Sequence, residues 1–426
     1  MVMAVIVGTL VGGSSTIGIA QLAFTYGISA WWFTIGGGLS CLLLGLFLAG
    51  PLRRSGLETI PQFLETAYGS AIAPVSSVFT ATGMFFAIIS QVLSAEALLT
   101  SMLGLAPVIS AVVAVLLIIS YVFFGGFWGA GVVGIAKVAL LSLTLLVTGG
   151  LSYSLAGGIS GLRAALPAEP FFSIFARGAG TDLALALGML VGVVSSQTYV
   201  QAMFAGRDVR ASRRGAYLAA AVVIPSGAAG TLVGLYMRMA HPTTAPSQVL
   251  PAFILTYLPD WLGGLVLGGL LIALVGTGAG IVLGISTLLT KDLYRRVFGQ
   301  GRPDGELLVV SRLITVAVAA ASLLFAAGNL KSFILNWSFL SMGLRGCVVL
   351  APLLGAVFFR KAVTPHAGMA ATVAGPVVNL LWGAFGPKTV DPLYPGLLAS
   401  AVALVGLSAL EHGIGRARRR TSASAA

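Results

Sequence analysis

The chain has 426 residues, of which 58% are hydrophobic and only 8% charged, with a mean hydropathy of +1.01. Such a composition excludes a soluble globular domain and describes an all-α polytopic membrane protein. The formal charge of +12 requires no nucleic-acid partner, because Lys and Arg held in cytoplasmic loops beside anionic lipid account for it.

Apolar stretches of about 20 residues or more, separated by Pro, Gly or charge, predict about twelve spans. They fall near residues 2–26, 30–50, 71–102, 105–125, 128–156, 180–205, 213–240, 262–290, 307–328, 335–360, 366–386 and 393–411. The first is broken at its centre by Gly12, Gly13, Ser14, Ser15 and Thr16. Glycines weaken a helix and hydroxyls expose polar groups at mid-depth, which hydrocarbon tolerates only where the backbone lines a protein cavity. Discontinuous helices of this kind carry the substrate and ion sites of secondary transporters. The span also starts at residue 2 with no polar leader. A cleaved signal peptide has a shorter apolar part ending in small residues, so an upstream helix missing from this reading frame is expected instead.

The third span carries Gln91, Ser94 and Glu96, the last being the only acidic residue well inside an apolar run. Lys137 lies about 12 Å along the fifth span. Two readings stay open for it: an ammonium snorkelling to the interface, or a buried cation, fixed or titrating, on a transport pathway. The sixth span clusters Ser195, Ser196, Gln197, Thr198, Tyr199 and Gln201, which indicates a polar cavity. In the eighth, Gly276, Gly278, Gly280 and Gly284 allow close helix packing, and Thr277, Ser286 and Thr287 are candidate oxygen ligands for a cation. Arg345, in the tenth, needs a carboxylate, carbonyls or a substrate anion, because guanidinium stays charged. A pair with Glu96 would explain both residues; the competing reading has Glu96 facing the interface.

Orientation follows from basic residues. With residue 1 in the cytoplasm, seventeen of the 24 Lys and Arg fall in inside loops and five in outside loops, while Lys137 and Arg345 lie within spans. Cys41 and Cys347 read as small apolar residues, and His241, His366 and His412 are too scattered for a metal site. No nucleophile elbow, HExxH or phosphate loop is present, so an enzyme is not expected.

Four segments, GTLVGGSSTIGIAQLAFTYGISAWWFTIGGGL, GLETIPQFLETAYGS, SSQTYVQAMFAGRDVRASRRGAYL and GGLLIALVGTGAGIVLGISTLLTKDLY, resemble the sodium/solute symporter family in their order and spacing, over almost the entire chain. The resemblance implies ten core helices as two inverted five-helix repeats, near 2–156 and 180–360. Two accessory helices near 366–411 and a cytoplasmic basic tail over 412–426 follow. Solute would bind at mid-depth between broken helices one and six, which makes Gly12, Gly13, Ser14, Thr16, Gln91, Gln197 and Tyr199 the substrate-site candidates. For sodium, the family combines carbonyls of the first core helix with a Ser/Thr pair on the eighth. Those positions fall on Gly8 and Val11, and on Gly276 and Thr277, so half of the hydroxyl pair is missing. Where relatives carry a Thr-Asp pair early in the fifth core helix the chain has Val133 and Gly134, and Lys137 replaces a common Gln.

The chain is thus expected to be a multi-pass cell-membrane transporter, in a bacterial cytoplasmic membrane. It would import a small polar or anionic organic solute by alternating access. Its partners would be that solute, a coupling cation and membrane lipid, with no prosthetic group. Sodium is the coupling ion by family default. The alternative is a proton-coupled or sodium-independent transporter in which Lys137 imitates the bound cation. A transporter-like solute sensor is a third reading.

Overall fold

The computed structural model describes residues 1–298, 303–387 and 389–424, and the side chains of these apart from 13–14, 124–136, 296–297, 304 and 415–424. The side chains of Gly13, Ser14, Val133 and Gly134, and most of the basic tail, therefore lie outside the described residues. Those that are described form helices joined by short turns, with no strand among them.

In chain order the helices are α1 (Val2–Leu10), α2 (Gly13–Tyr26), α3 (Trp32–Leu43), α4 (Ala49–Arg54), α5 (Ile60–Tyr68), α6 (Ile72–Leu103), α7 (Pro107–Leu155), α8 (Gly158–Ala165), α9 (Ala168–Phe171) and α10 (Ala179–Val194). They continue with α11 (Gln197–Phe204), α12 (Val209–Ala240), α13 (Val249–Tyr257), α14 (Asp260–Leu288), α15 (Arg295–Phe298), α16 (Asp304–Ala327), α17 (Ile334–Phe358), α18 (Pro365–Phe385) and α19 (Leu393–Ser424). Helices dominate because backbone groups in hydrocarbon must be satisfied within the segment itself.

Among the described residues nine helices are long and apolar enough to cross a membrane, or ten if the bent pair α10 and α11 is one span. The sequence predicted twelve. The difference has local causes. α1 is cut from α2 by a break, so it is too short to count by itself. The stretch Ser15–Arg54 counts once, although Gly27, at φ +66°, ends α2 in a backbone conformation that glycine adopts readily. Both α2 and α3 pack on α12. Pro107–Phe123 is apolar but short.

α7 is also two arms. In a straight helix residues 118 and 137 would stand about 28 Å apart. Instead, Ile118 lies against Gly278 and Lys137 bonds to the adjacent Thr277. The arms Pro107–Phe123 and Lys137–Leu155 therefore run along the same stretch of α14, as the predicted fourth and fifth spans require.

Small residues let these helices approach, the usual means of association where lipid removes the hydrophobic drive between them. A Cβ on Gly149 would meet Ala229 Cβ at 2.7 Å, and one on Gly278 would meet Ile118 Cδ1 at 2.8 Å. At the membrane edge α5 begins with a capping box: Thr59 Oγ1 accepts from the Gln62 amide, and Gln62 Oε1 accepts from the Thr59 amide. Tyr68, at its other end, donates to the Pro352 carbonyl at 2.8 Å and so holds α5 on α17.

Candidate solute and cation sites at the broken helices

Two helices are discontinuous. Between α1 and α2, Val11 (φ −91°, ψ 70°) and Gly12 (φ −95°, ψ 177°) leave the helical region. Ser15 donates to the Gly12 carbonyl at 2.7 Å, and the Thr16 amide donates to the same oxygen. The break is thus narrower than the five-residue interruption read from sequence, because this bonding restarts the helix at once. Between α10 and α11, Ser195 and Ser196 interrupt the helix and bend it by 44°. Each break frees backbone groups that an unbroken helix would pair.

The first break meets α14 at Thr277. A Cβ on Gly12 would lie 3.4 Å from Thr277 Oγ1. The C-terminal end of α1, with Gly8 and Val11, carries the partial negative charge and unpaired carbonyls that suit a cation. Thr277 donates to the Ala273 carbonyl at 2.7 Å and accepts a hydrogen bond from Lys137 Nζ. Lys137 is only 7% exposed, so its ammonium does not snorkel. It ends instead against Thr277, whose hydroxyl the family resemblance implies as a cation ligand. Two unit positive charges about 4 Å apart repel by roughly 4 kcal/mol at an effective dielectric of 20. Gly276, beside Thr277, contributes no hydroxyl; the nearest group to a Cβ built there is Tyr121 OH at 4.0 Å.

Other candidates on α14 are drawn elsewhere. Ser286 bonds to Ser311 on α16, and Thr287 donates to the Leu283 carbonyl. Ser286 also lies about 13 Å along the helix from Thr277, so neither hydroxyl joins the cation candidates. Of the glycines, Gly278 and Gly284 serve close packing, against Ile118 and Met84, whereas a Cβ on Gly280 would meet nothing within 4 Å. Gln91 is buried and its Cβ lies 3.7 Å from one built on Gly278, which puts it beside the same stretch of α14. Ser94 turns back to the Ser90 carbonyl.

The second break is served by a different cation. Arg345, at the middle of α17 and 4% exposed, donates to the Ser341 carbonyl, to Ser341 Oγ at 2.7 Å and to Met342 Sδ at 3.3 Å. Tyr199, on α11, is likewise buried. Among the described residues no carboxylate pairs with Arg345. The anticipated partner Glu96 bonds to Thr100 Oγ1 at 3.2 Å. Arg345 lies against Gly83, whose Cβ would sit 2.7 Å from Arg345 Cγ, and Glu96 is thirteen residues further along α6, or about 20 Å. The pair is therefore ruled out by helix register. Glu96 is 5% exposed, so it does not face the interface either.

Gln197 has both ends of its amide engaged: Oε1 accepts from the Ile60 amide at 2.8 Å and Nε2 donates to the Glu58 carbonyl at 3.0 Å. It ties the second half of the broken helix to the start of α5. The Ser195 hydroxyl, by contrast, is buried without a hydrogen-bond partner, beside a small cavity that Gln197, Ser76 and Thr80 also line.

A larger cavity of about 330 Å³ lies between α2, α10, α17 and the turn before α19, with Arg177, Asn379 and Asp391 in its wall. Arg177 pairs with Asp182 at 2.8 Å. Burial pushes the Asp391 carboxyl above the usual range, although the Leu393 amide donates to it. Asn379 Oδ1 has no partner. These residues were missed in the sequence; an Asn within an apolar span was the available signal.

Discontinuous helices meeting α6, α14 and α17 define a secondary transporter in which irregular backbone at mid-depth lines the binding sites. A family model described as the sodium:solute symporter family matches residues 1–375. The chain belongs to the sodium:solute symporter family: it is a multi-pass membrane protein that carries out cation-coupled solute symport, and not an enzyme. It is similar to the high-affinity proline transporter PutP of Bacillus subtilis (strain 168), with 24% identity over 416 residues covering 92% of this chain and 86% of the relative. The high affinity choline transporter 1 of Homo sapiens is 23% identical, over 88% of this chain and 67% of that protein. Among solved structures, a sodium-coupled sialic acid symporter in a substrate-bound outward-open state shares the fold, with a TM-score of 0.73 and 19% identity over 96% of this chain and 89% of the other.

Proposed function

We infer that the chain imports a small organic solute with an anionic group by alternating access, with the solute held at mid-depth between the breaks of the first and sixth core helices. The carrying observation is Arg345: a guanidinium buried at the middle of a span and without a carboxylate partner among the described residues. A buried charge is costly unless something compensates it, and a solute anion supplies that compensation. Tyr199, the partnerless Ser195 hydroxyl and the backbone freed at Gly12 are the further solute contacts in this reading. Gln91 lies close enough to α14 to join them, and Gly13, Ser14 and Thr16, in the first turn of the helix that restarts after the break, complete the set. Gln197 acts instead as a brace on α5.

The repeats are assigned to 2–156 and 180–360, with accessory helices at 366–411 and the basic tail 412–426 in the cytoplasm. Gly8, Val11 and Thr277 form the family's cation position, with sodium as the default ion. Support for this comes from family membership and from the proximity of Gly12 to Thr277. The test is a thermal-shift panel of paired solutes, each carboxylate beside its neutral amide, followed by counterflow in proteoliposomes for any stabilising solute. Carboxylates should stabilise the protein, since a ligand bound only by the folded state raises its stability, and should exchange across the membrane. Selective stabilisation by the amides would defeat the anionic reading, and binding without counterflow would point to a solute sensor.

A further inference from the structure

Resting on the assignment of Gly8, Val11 and Thr277 as the cation position, we propose that the Lys137 ammonium is the resident cation of the contact between α1 and α14, and that sodium does not bind there in the wild-type protein. The donor set fits an ammonium better than it fits sodium. Thr277 Oγ1, the hydroxyl of the family's Ser/Thr pair that this chain keeps, already donates to the Ala273 carbonyl and accepts from Lys137 Nζ. Gly276 offers none, and no carboxylate forms an ion pair with Lys137 among the described residues. A sodium ion prefers several hard oxygens, as other hard cations do. It would find one hydroxyl, shared with a positive charge.

An ammonium has three N–H donors and no acceptor. Buried at 7% exposure, it needs neutral oxygens to receive those donors. Thr277 Oγ1 receives one of them, and the nearby end of α1 presents the negative pole of a helix, where the last carbonyls lack intrahelical partners. α1 packs on α7, which carries Lys137, and the break at Gly12 stands within van der Waals distance of Thr277 Oγ1. The hydroxyl that would serve a bound cation is therefore taken by the tip of a side chain from α7, next to α1. Since this cation is covalently tethered, it cannot be released with solute to the cytoplasm. The contact between the first and eighth core helices is bridged by the fifth at any sodium concentration. Cation coupling through other oxygens of the chain is untouched by this assignment.

The experiment is thermal unfolding of the purified full-length protein in sodium chloride against N-methyl-D-glucamine chloride at constant ionic strength, with binding of radioactive sodium as a second readout. Wild type and Thr277→Ala should respond identically to sodium. The double variant Lys137→Gln with Gly276→Ser should gain a sodium-dependent rise in melting temperature and sodium binding, with affinity improved by roughly three orders of magnitude, the equivalent of removing the charge repulsion given above. A sodium response in wild type that Thr277→Ala abolishes would overturn the proposal. So would a double variant that folds and stays blind to sodium. Should the double variant not fold, the comparison of wild type with Thr277→Ala decides alone. Solute stabilisation by carboxylates is read separately and in the absence of sodium, so failure of the anionic-solute reading leaves the sodium result interpretable.

Discussion

Lys137 and Arg345 are both cations buried in the membrane, yet their surroundings differ in kind. Lys137 ends against a threonine hydroxyl near the carbonyl end of a broken helix, a setting with negative partial charge but few hard oxygens. Arg345 satisfies part of its fork on its own helix, at Ser341 and Met342, and has no carboxylate partner among the described residues. In the roles proposed for them, one cation fills a place suited to positive charge and the other makes a place for negative charge. The lesson is that an intramembrane charge is interpretable only with its acceptors, because the same formal charge closes one site and opens another.

The largest expected effect comes from separating these roles. Arg345→Gln should lower solute affinity at least about tenfold, the worth of a hydrogen bond to a charged group, while leaving the sodium response unchanged. Solute-dependent thermal shift and uptake, measured in parallel, check this; an unaltered affinity would make Arg345 a structural residue and dissolve the contrast with Lys137. Gly83→Ala is expected to be next, since the added methyl would stand 2.7 Å from Arg345 Cγ and 3.3 Å from the Ser341 carbonyl. Overpacking of this kind costs about 1–3 kcal/mol, and it should displace the guanidinium, so both melting temperature and solute affinity should fall.

Gln197→Ala sharpens the boundary of the solute region. It strips partners from the Ile60 amide and the Glu58 carbonyl, a loss of about 1–2 kcal/mol. Stability should fall with solute affinity preserved once the protein is folded; a selective loss of affinity would return Gln197 to the solute ligands. The smallest effect is expected at Asp391, which lies outside both regions. Its folded-state carboxyl titrates above the ordinary value of 3.8 because of burial, so the folded state holds its proton more tightly than the unfolded chain. Stability therefore declines as pH rises from about 4 to the raised value, and the penalty persists above it. Asp391→Asn should melt slightly higher than wild type at neutral pH, and the gap should close in acid; melting curves across pH would show whether it does.

Much of the architecture was legible in the residues. Glycines and hydroxyls inside an apolar run marked the first break, while Ser195–Ser196 with their polar neighbours indicated a polar cavity and the family resemblance implied the second break. The Thr59-Ile-Pro-Gln62 start of α5 could be read as a cap because its bonds are local. Pairings across helices were less accessible. Glu96 and Arg345 looked like natural partners in a list of charges, but register along α6 separates them. Ser286 and Thr287 looked like ligands of the same site as Thr277, until the direction each side chain takes was known. Gln197 looked like a solute ligand and is spent on backbone groups far away in the chain.

Four local motifs made the chain resemble a transporter family. Hydropathy and charge placement were enough to define a multi-pass membrane protein with a discontinuous first helix, because the bilayer acts on every segment separately and records its demands locally. They also flagged Lys137 as out of place. Its meeting with Thr277, across a separation of 140 residues, was a matter of tertiary structure. Which helices face one another in lipid is set by shape and close packing, and those belong to pairs of surfaces that no single stretch of chain contains.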